Sequence, residues 1–184
     1  MQHSNSLVLQ QSALLIIDMQ EAFRASIPDF EQITRRTVIA VGGAKLLNLP
    51  IIVTEQYPKG LGHTVTEIAN VLPEIEIKEK TAFSSCGAAG FLSDLENRSI
   101  TQVLVAGIEA HICVNQTVHD LLASNLQVHF LVDCISARKE KDKEAAFRKL
   151  ELSGALPSSV EMALFELMRD ARHEQFKAIQ GLVK

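Results

Sequence analysis

Residues 102–122 read QVLVAGIEAHICVNQTVHDLL, a strand pattern joined to a helix pattern with a cysteine at the junction. The apolar run 102–108, which contains Gly107, is typical of a buried parallel strand. The next apolar residues recur at the helical spacing i, i+4, i+7 and i+8: Val114, Val118, Leu121 and Leu122. Cys113 is therefore predicted to lie where the carboxyl end of a strand meets the first turn of an amphipathic helix.

This position gives the Cys113 thiol two interpretations. The free N–H groups and the dipole of a helix N-terminus favour a thiolate, which predicts a pKa below the usual ~8.5 of a cysteine. The alternative is that Cys113 is a small buried apolar residue with no chemical role. The residues that end two other strands favour the first interpretation.

Two charged residues stand at the ends of other predicted strands. Asp18 closes the apolar run LLIID, and Lys80 closes the alternating run IEIKEK. In an open α/β sheet, ligands bind beyond the carboxyl ends of the strands. Each residue alone has a plainer explanation, as a helix cap or a solvated strand end. Together with Cys113 they supply a proton carrier, a cation and a nucleophile.

The rest of the chain alternates strand and helix patterns, with no linker or repeat. Strands are predicted near residues 13–18, 50–54, 75–79, 102–107, 127–133 and 158–163. Helices are predicted near residues 30–48, 87–97, 112–125, 141–153 and 165–180. Such alternation requires right-handed crossovers and a parallel sheet covered on both faces. We therefore predict a single three-layer α/β/α domain spanning residues 1–184.

Composition narrows the class of protein. The chain has 184 residues, of which 47% are apolar and 22% charged, with a net charge of -4. This balance gives no electrostatic reason to expect nucleic acid or an anionic membrane as a partner. The chain has no apolar run of about 18 residues, no signal-peptide pattern and only three irregularly spaced cysteines. These features predict a cytoplasmic protein with reduced thiols.

Three motifs then match a known family. They are Asp18-Met19-Gln20 with Phe23, Lys80-Thr81-Ala82-Phe83-Ser84, and Gly107-Ile108-Glu109-Ala110-His111-Ile112-Cys113-Val114. In this order they resemble the aspartate, lysine and nucleophile motifs of the isochorismatase-like cysteine hydrolases, which include nicotinamidases and N-carbamoylsarcosine amidases. The resemblance covers essentially all of residues 12–183. The segment 54–62 is similar to a subgroup of isochorismatase domain-containing proteins.

The resemblance implies both a topology and a site. The sheet should have six parallel strands in the order 3-2-1-4-5-6, and Asp18, Lys80 and Cys113 should form a catalytic triad. The Ile108–Glu109 peptide bond should be cis, with the backbone N–H groups of Glu109 and Cys113 forming an oxyanion hole. The family often has threonine where this chain has Ala110, so one polar contact near the hole is missing.

No metal or other cofactor is predicted. The metal motif of nicotinamidases, an aspartate and a histidine two residues apart with a second histidine downstream, does not occur, and His63 stands alone in that segment. The candidates for contact with a small-molecule substrate are Gln20, Phe23, Tyr57, Phe83 and His111. A packing role is the alternative for His111. Family resemblance and the apolar stretch 162–168 predict a homo-oligomer, most simply a dimer.

The favoured function is hydrolysis of a C–N bond in a small amide or carbamoyl compound, through a thioester on Cys113. Two alternatives remain open. One is a thiol sensor or degenerate binding module on the same fold, although both Asp18 and Lys80 are present. The other is a vinyl-ether hydrolase of the isochorismate type, a reaction that needs an acid and has no use for a thiol.

Overall fold

Across residues 3–184, which this computed structural model describes, six parallel strands form one sheet with helices on both faces. The strands are β1 Ser12–Ile17, β2 Ile51–Gln56, β3 Lys78–Lys80, β4 Gln102–Gly107, β5 Gln127–Ile135 and β6 Leu156–Ser158. The α-helices are α1 Phe30–Leu46, α2 Pro58–Leu61, α3 Thr66–Ala69, α4 Phe91–Asn97, α5 Asn115–Ala123, α6 Glu140–Leu152, α7 Val160–Met168 and α8 Phe176–Val183. The order β3-β2-β1-β4-β5-β6 confirms the predicted topology and the three-layer fold.

The two helical layers follow from the alternation of side chains along the central strands. Leu14 and Ile16 of β1 pack in the cluster that includes α1, α7 and α8. Leu15 and Ile17 pack in the cluster that includes α4, α5 and α6. Successive strand residues point to opposite faces, so a strand covered on both faces is apolar almost throughout. All six residues of β1 are buried accordingly.

The predicted sixth strand at residues 158–163 is wrong. β6 ends at Ser158, and α7 begins at Val160. The hydroxyl of Ser159 accepts a hydrogen bond from the backbone N–H of Met162, which caps the helix. The apolar residues that follow lie at helical spacing and are buried: Val160, Ala163, Leu164 and Leu167. The cap and the spacing therefore start a helix where a strand was predicted.

Two other predicted boundaries also differ. β3 begins only at Lys78, because this edge strand pairs with β2 from Thr54 onward and has no partner before that point. The predicted helix 165–180 is two helices, α7 and α8, separated at Arg169, which adopts a left-handed backbone conformation (φ 64°).

The apolar stretch 162–168 belongs mostly to the core. Ala163, Leu164, Leu167 and Met168 are buried in the cluster against α1, whereas Met162 is exposed. The stretch therefore gives little support to an oligomer interface, and the homo-oligomer stays a prediction. Within residues 3–184, none of the helices has both the length and the hydropathy needed to cross a membrane.

Gly107 allows β1 and β4 to stay paired up to their carboxyl ends. Its φ is 123°, and a Cβ at this position would lie 2.0 Å from the carbonyl oxygen of Ile17. A side chain at position 107 would be strained by the positive φ and would also clash with the backbone of Ile17. Glycine here lets the chain approach Ile17 immediately before Asp18, which places the end of β4 beside the end of β1.

Replacing Gly107 with alanine is therefore expected to lower the free energy of unfolding by at least about 2 kcal/mol, because backbone strain and overpacking add. Urea unfolding followed by circular dichroism measures this change. Gly181→Ala is the matched control, since a Cβ there meets open space. That variant should be neutral or slightly stabilising. Equal stability of the two variants would contradict the role assigned to Gly107.

Candidate active site

The carboxyl edge of the sheet brings three chemically active side chains together. Asp18 directly follows β1, and Lys80 is the last residue of β3. Cys113 lies in a turn of π-helix, Ala110–Val114, between β4 and α5. β1 neighbours β4 and is separated from β3 by β2 alone, so the strand order itself directs the three side chains to one place.

Asp18 and Lys80 form a buried ion pair. The Nζ of Lys80 donates a hydrogen bond to Oδ2 of Asp18 at 2.7 Å, and both side chains are at most 1% exposed. The other carboxylate oxygen, Oδ1, accepts from the hydroxyl of Thr54 at 3.1 Å. Asp18 itself has a positive φ of 53°, which is uncommon for a non-glycine residue. Burial raises the pKa of Asp18, and the nearby Lys80 opposes that shift.

The Cys113 thiol lies close enough to the Asp18 carboxyl group for each to shift the pKa of the other. Burial, followed by the charge of Asp18, raises the pKa of Cys113 to about 12, and Lys80 offsets only part of this. The sequence-based prediction of a lowered thiol pKa is therefore wrong. The causes of the rise are desolvation of the thiol and the charge of the adjacent carboxylate. The resting site holds a neutral thiol facing a base.

The turn around Cys113 leaves particular backbone groups for a substrate. The Ile108–Glu109 peptide bond is cis. The N–H of Ala110 donates to the carbonyl of Ser136 at 2.8 Å. The N–H groups of residues 112 and 114 both donate to the carbonyl of Glu109. These bonds do not use the N–H groups of Glu109 or Cys113, so the two predicted oxyanion-hole donors remain the candidates.

A cavity of about 370 Å³ opens onto Cys113. It is lined by Ala22, Phe23, Ser26, Gln56, Leu61, Phe83, Glu109, Ile112, Cys113 and Arg138. Apolar side chains predominate, with few polar groups, which is the usual make-up of a small-molecule site. Phe83 is half exposed at the rim of this cavity. Phe23 and Phe83 both line this cavity, and their contact with a substrate stays a prediction.

Three other predicted substrate contacts lie elsewhere. The Gln20 amide is buried, and its hydrogen bonds go to the backbone of Gln56 and Gly62. Tyr57 lines a neighbouring cavity. His111 points toward α6, with Nε2 4.0 Å from the carboxylate of Asp142, and does not line the Cys113 cavity. Their sequence positions close to the motifs did not reveal these orientations.

Arg138 is the main cavity residue that the sequence did not reveal. Its backbone N–H and Nε donate to the buried carboxylate of Glu109 at distances of 2.9 to 3.1 Å. Arg138 follows β5, at the same edge of the sheet as the other strand ends. The rule that ligands bind beyond strand ends could have identified it, because the loop after β5 belongs to that edge.

The place of the nicotinamidase metal motif has different chemistry here. Glu55 is buried, and its Oε1 accepts hydrogen bonds from the N–H and hydroxyl of Thr64 at 2.6 and 2.7 Å. Its Oε2 lies 3.0 Å from Nδ1 of His63, which is largely exposed. Within residues 3–184, no three His, Cys, Asp or Glu side chains are grouped closely enough to hold a metal. Glu55 instead fixes the loop that contains Thr64.

Comparison with known proteins agrees with this architecture. Residues 12–162 match the isochorismatase domain. The chain belongs to the isochorismatase domain family. Isochorismatase domain-containing protein 2A from Mus musculus is 42% identical over 176 residues, covering 95% of this chain and 84% of the relative.

Two solved structures have similar folds. The MAR1 ribonuclease from Caenorhabditis elegans has a TM-score of 0.91 and 37% identity, with 97% of this chain and 92% of that chain covered. A cysteine hydrolase from Pseudomonas syringae has a TM-score of 0.77 with 88% of this chain and 94% of that chain covered. At 13% identity, the second likeness concerns the fold alone. The chain is thus an isochorismatase-like hydrolase by family, and its substrate is a separate question.

Proposed function

We propose that the protein hydrolyses a C–N bond of a small amide or carbamoyl compound, using Cys113 as nucleophile. The observation that carries this proposal is the position of the Cys113 thiol near a carboxyl group that is itself paired with buried Lys80. A thiol, a base of raised pKa and a fixed cation are the parts that nucleophilic acyl transfer requires.

The reaction has two halves. Asp18 takes the thiol proton as the Cys113 sulfur attacks the carbonyl carbon. The oxyanion that forms accepts hydrogen bonds from the backbone N–H groups of Glu109 and Cys113. Collapse of the tetrahedral intermediate expels the amine, which leaves with the proton held by Asp18. Water then attacks the thioester while Asp18 takes its proton, and the C–S bond breaks as Asp18 returns that proton to the Cys113 sulfur. The products are a carboxylic or carbamic acid and an amine, and the thiol is restored.

Lys80 acts through Asp18 and does not bind the substrate in this scheme. Its amine lies within hydrogen-bond distance of Asp18 Oδ2, Gln56 Oε1 and the carbonyl of Phe83, at 2.7, 2.9 and 3.0 Å. An ammonium group has three N–H donors, and these contacts occupy them. The cation compensates the negative charge of Asp18 in a site from which water is largely excluded.

The raised pKa of Cys113 argues against the thiol-sensor alternative. Redox-sensing cysteines have low pKa values and good access to solvent. Cys113 is buried, and its pKa is about 12. A neutral thiol next to a base fits a nucleophile that is activated only when the substrate is bound. The vinyl-ether alternative would use Asp18 as an acid and is tested by the Cys113→Ala variant.

The test is release of ammonia or amine across a panel of small amides and carbamoyl compounds that fit about 370 Å³. The Cys113→Ala protein is the blank. A short RNA belongs in the panel because a structural relative is named a ribonuclease. The net charge of -4 gives no general attraction for RNA. RNA cleavage without amide hydrolysis would overturn the proposal, and so would hydrolysis that survives in the blank.

The pH dependence of the reaction is expected to follow Asp18. The carboxylate accepts the thiol proton only when ionised, so activity should be present above its pKa and lost as the pH falls through it. Because burial raises that pKa above the ordinary 3.8, the acid limb should lie above pH 3.8. Ionisation of Cys113 should add no limb below about pH 12. Plots of kcat/KM against pH measure both features.

The matched control for the pH profile is Cys86→Ala, which removes a half-buried thiol outside the Asp18 contact. Its profile should coincide with that of the wild-type protein. A rate that is unchanged down to pH 3.8, or an alkaline increase with a midpoint near pH 8, would contradict the assignment of Asp18 as the base.

A further inference from the structure

Gln56 is a polar residue of the site to which the proposed reaction gives no role. It is the last residue of β2 and lines the Cys113 cavity. Residues two apart on a strand share a face, so Gln56 points to the same side of the sheet as Thr54, which holds Oδ1 of Asp18. β2 therefore presents two successive inward side chains to the Asp18–Lys80 pair.

The side-chain amide of Gln56 is fixed at both ends. Its Oε1 accepts a hydrogen bond from Nζ of Lys80 at 2.9 Å, and its Nε2 donates to the carbonyl of Thr81 at 2.8 Å. A carbonyl can only accept, so the amide oxygen has to face Lys80. The amide oxygen of Gln56 thus holds one of the three N–H donors of the Lys80 ammonium group in place.

The backbone of Gln56 is fixed as well. The side chain of Gln20 accepts from the N–H of Gln56 at 2.8 Å and donates to its carbonyl at 3.0 Å. Gln20 is fully buried, and its Nε2 also donates to the carbonyl of Gly62 at 2.6 Å. The buried amide of Gln20 thus holds Gln56, and the side chain of Gln56 in turn holds Lys80.

We infer that Gln56 is a positioning residue that holds the Lys80 ammonium where it keeps the Asp18 carboxylate oriented and ionised toward Cys113. The inference rests on the proposed function, since it takes Asp18 as the base. The Gln56 amide is bonded to Lys80 through Oε1 and to Thr81 through one of the two N–H groups of Nε2. Its link to the proposed reaction is the contact with Lys80. Its effect should therefore appear in kcat and in the pH profile, and KM should change little.

The first test is Gln56→Leu, which keeps the approximate volume and removes both hydrogen bonds. We expect kcat to fall by about 10- to 100-fold, in line with the cost of misplacing catalytic groups by about 1 Å. KM should stay within about two-fold, because the lost contact with Lys80 orients a reacting group and does not bind the substrate. Gln32→Leu, at an exposed position of α1, is the matched control and should leave both constants unchanged.

The second test is Gln56→Glu, which keeps an acceptor for Lys80 and adds a negative charge. A second carboxylate near Asp18 raises the pKa of Asp18. The acid limb of kcat/KM should therefore move to higher pH than in the wild-type protein. An unmoved limb would show that the side chain at position 56 is not coupled to the Asp18–Lys80 pair, and would overturn its positioning role. This variant also carries the test if Gln56→Leu unfolds, as judged by its thermal midpoint.

A readout without substrate separates this inference from the proposed function. The acid fall-off in the rate of Cys113 alkylation by iodoacetamide reports whether Asp18 can accept the thiol proton. Gln56→Glu should move this fall-off upward even if no amide substrate is found. Activity that survives in Cys113→Ala would defeat the proposed function alone. Wild-type kcat in Gln56→Leu, a change confined to KM, or an unmoved fall-off would overturn the role of Gln56.

Discussion

Replacing Cys113 with alanine is expected to reduce hydrolysis of any amide substrate by at least about 10⁴-fold, as loss of a nucleophile does in other covalent hydrolases. Without the sulfur no thioester can form, and Asp18 alone would have to activate water across the space left by the thiol. The fold should tolerate the change, because alanine is smaller and can keep the place of Cys113 in its apolar cluster. Ammonia release under single-turnover and steady-state conditions measures the loss.

Cys86→Ala and Cys134→Ala are the controls for this experiment. Neither thiol is bonded to Asp18, and both should retain turnover close to that of the wild-type protein. Full activity of Cys113→Ala on a substrate that the wild-type protein hydrolyses would transfer the chemistry to Asp18. That result would favour acid-catalysed vinyl-ether hydrolysis.

Replacing Asp18 with asparagine is expected to reduce turnover by about 10²- to 10⁴-fold, the usual contribution of a general acid–base group. The thiol loses its base, and the leaving amine loses its acid. The same change leaves the buried ammonium of Lys80 without a counter-charge. Breaking a buried ion pair by removing one partner lowers the free energy of unfolding by about 3–5 kcal/mol. Turnover and urea unfolding measure the two effects separately.

Asp120→Asn is the matched control for the second experiment, since Asp120 is exposed on α5. It should change neither turnover nor stability. The double variant Asp18→Asn with Lys80→Met removes both charges and should recover part of the lost stability without recovering activity. Wild-type turnover in Asp18→Asn would exclude Asp18 as the base, whatever the change in stability.

The fold was predictable where local pattern and tertiary context agree. β1 and β4 are covered on both faces, so their apolar runs identify them without ambiguity. β6 was misplaced because Leu156–Ser158 is short, whereas the following apolar residues serve α7. An apolar run of that length fits a strand or a buried helix equally well, and only the cap at Ser159 distinguishes them. The observed β3 is shorter than the predicted strand because its start depends on pairing with β2, and the local sequence pattern does not show that pairing.

The convergence of the three proposed reactive groups was predictable, and their surroundings were less so. Asp18, Lys80 and Cys113 stand at strand ends or just beyond them, where topology alone brings them together. The pKa of Cys113 was predicted in the wrong direction, since a sequence shows the helix start but not the burial or the carboxylate beside it. The cavity wall depends on loop conformation, which explains why Arg138 was not found and Tyr57 was misplaced.

The alternating faces of β2 have a consequence for folding fidelity. Thr54 and Gln56 bond to the Asp18–Lys80 pair, whereas Glu55 between them holds the Thr64 loop on the other side. A slip of β2 by one residue would exchange these faces and disrupt the reactive pair and the loop together. Molecules with β2 in the wrong register would then be both inactive and unstable. We expect no stable, partly active form of the protein. The specific activity of a preparation should therefore be proportional to its fraction of correctly folded molecules.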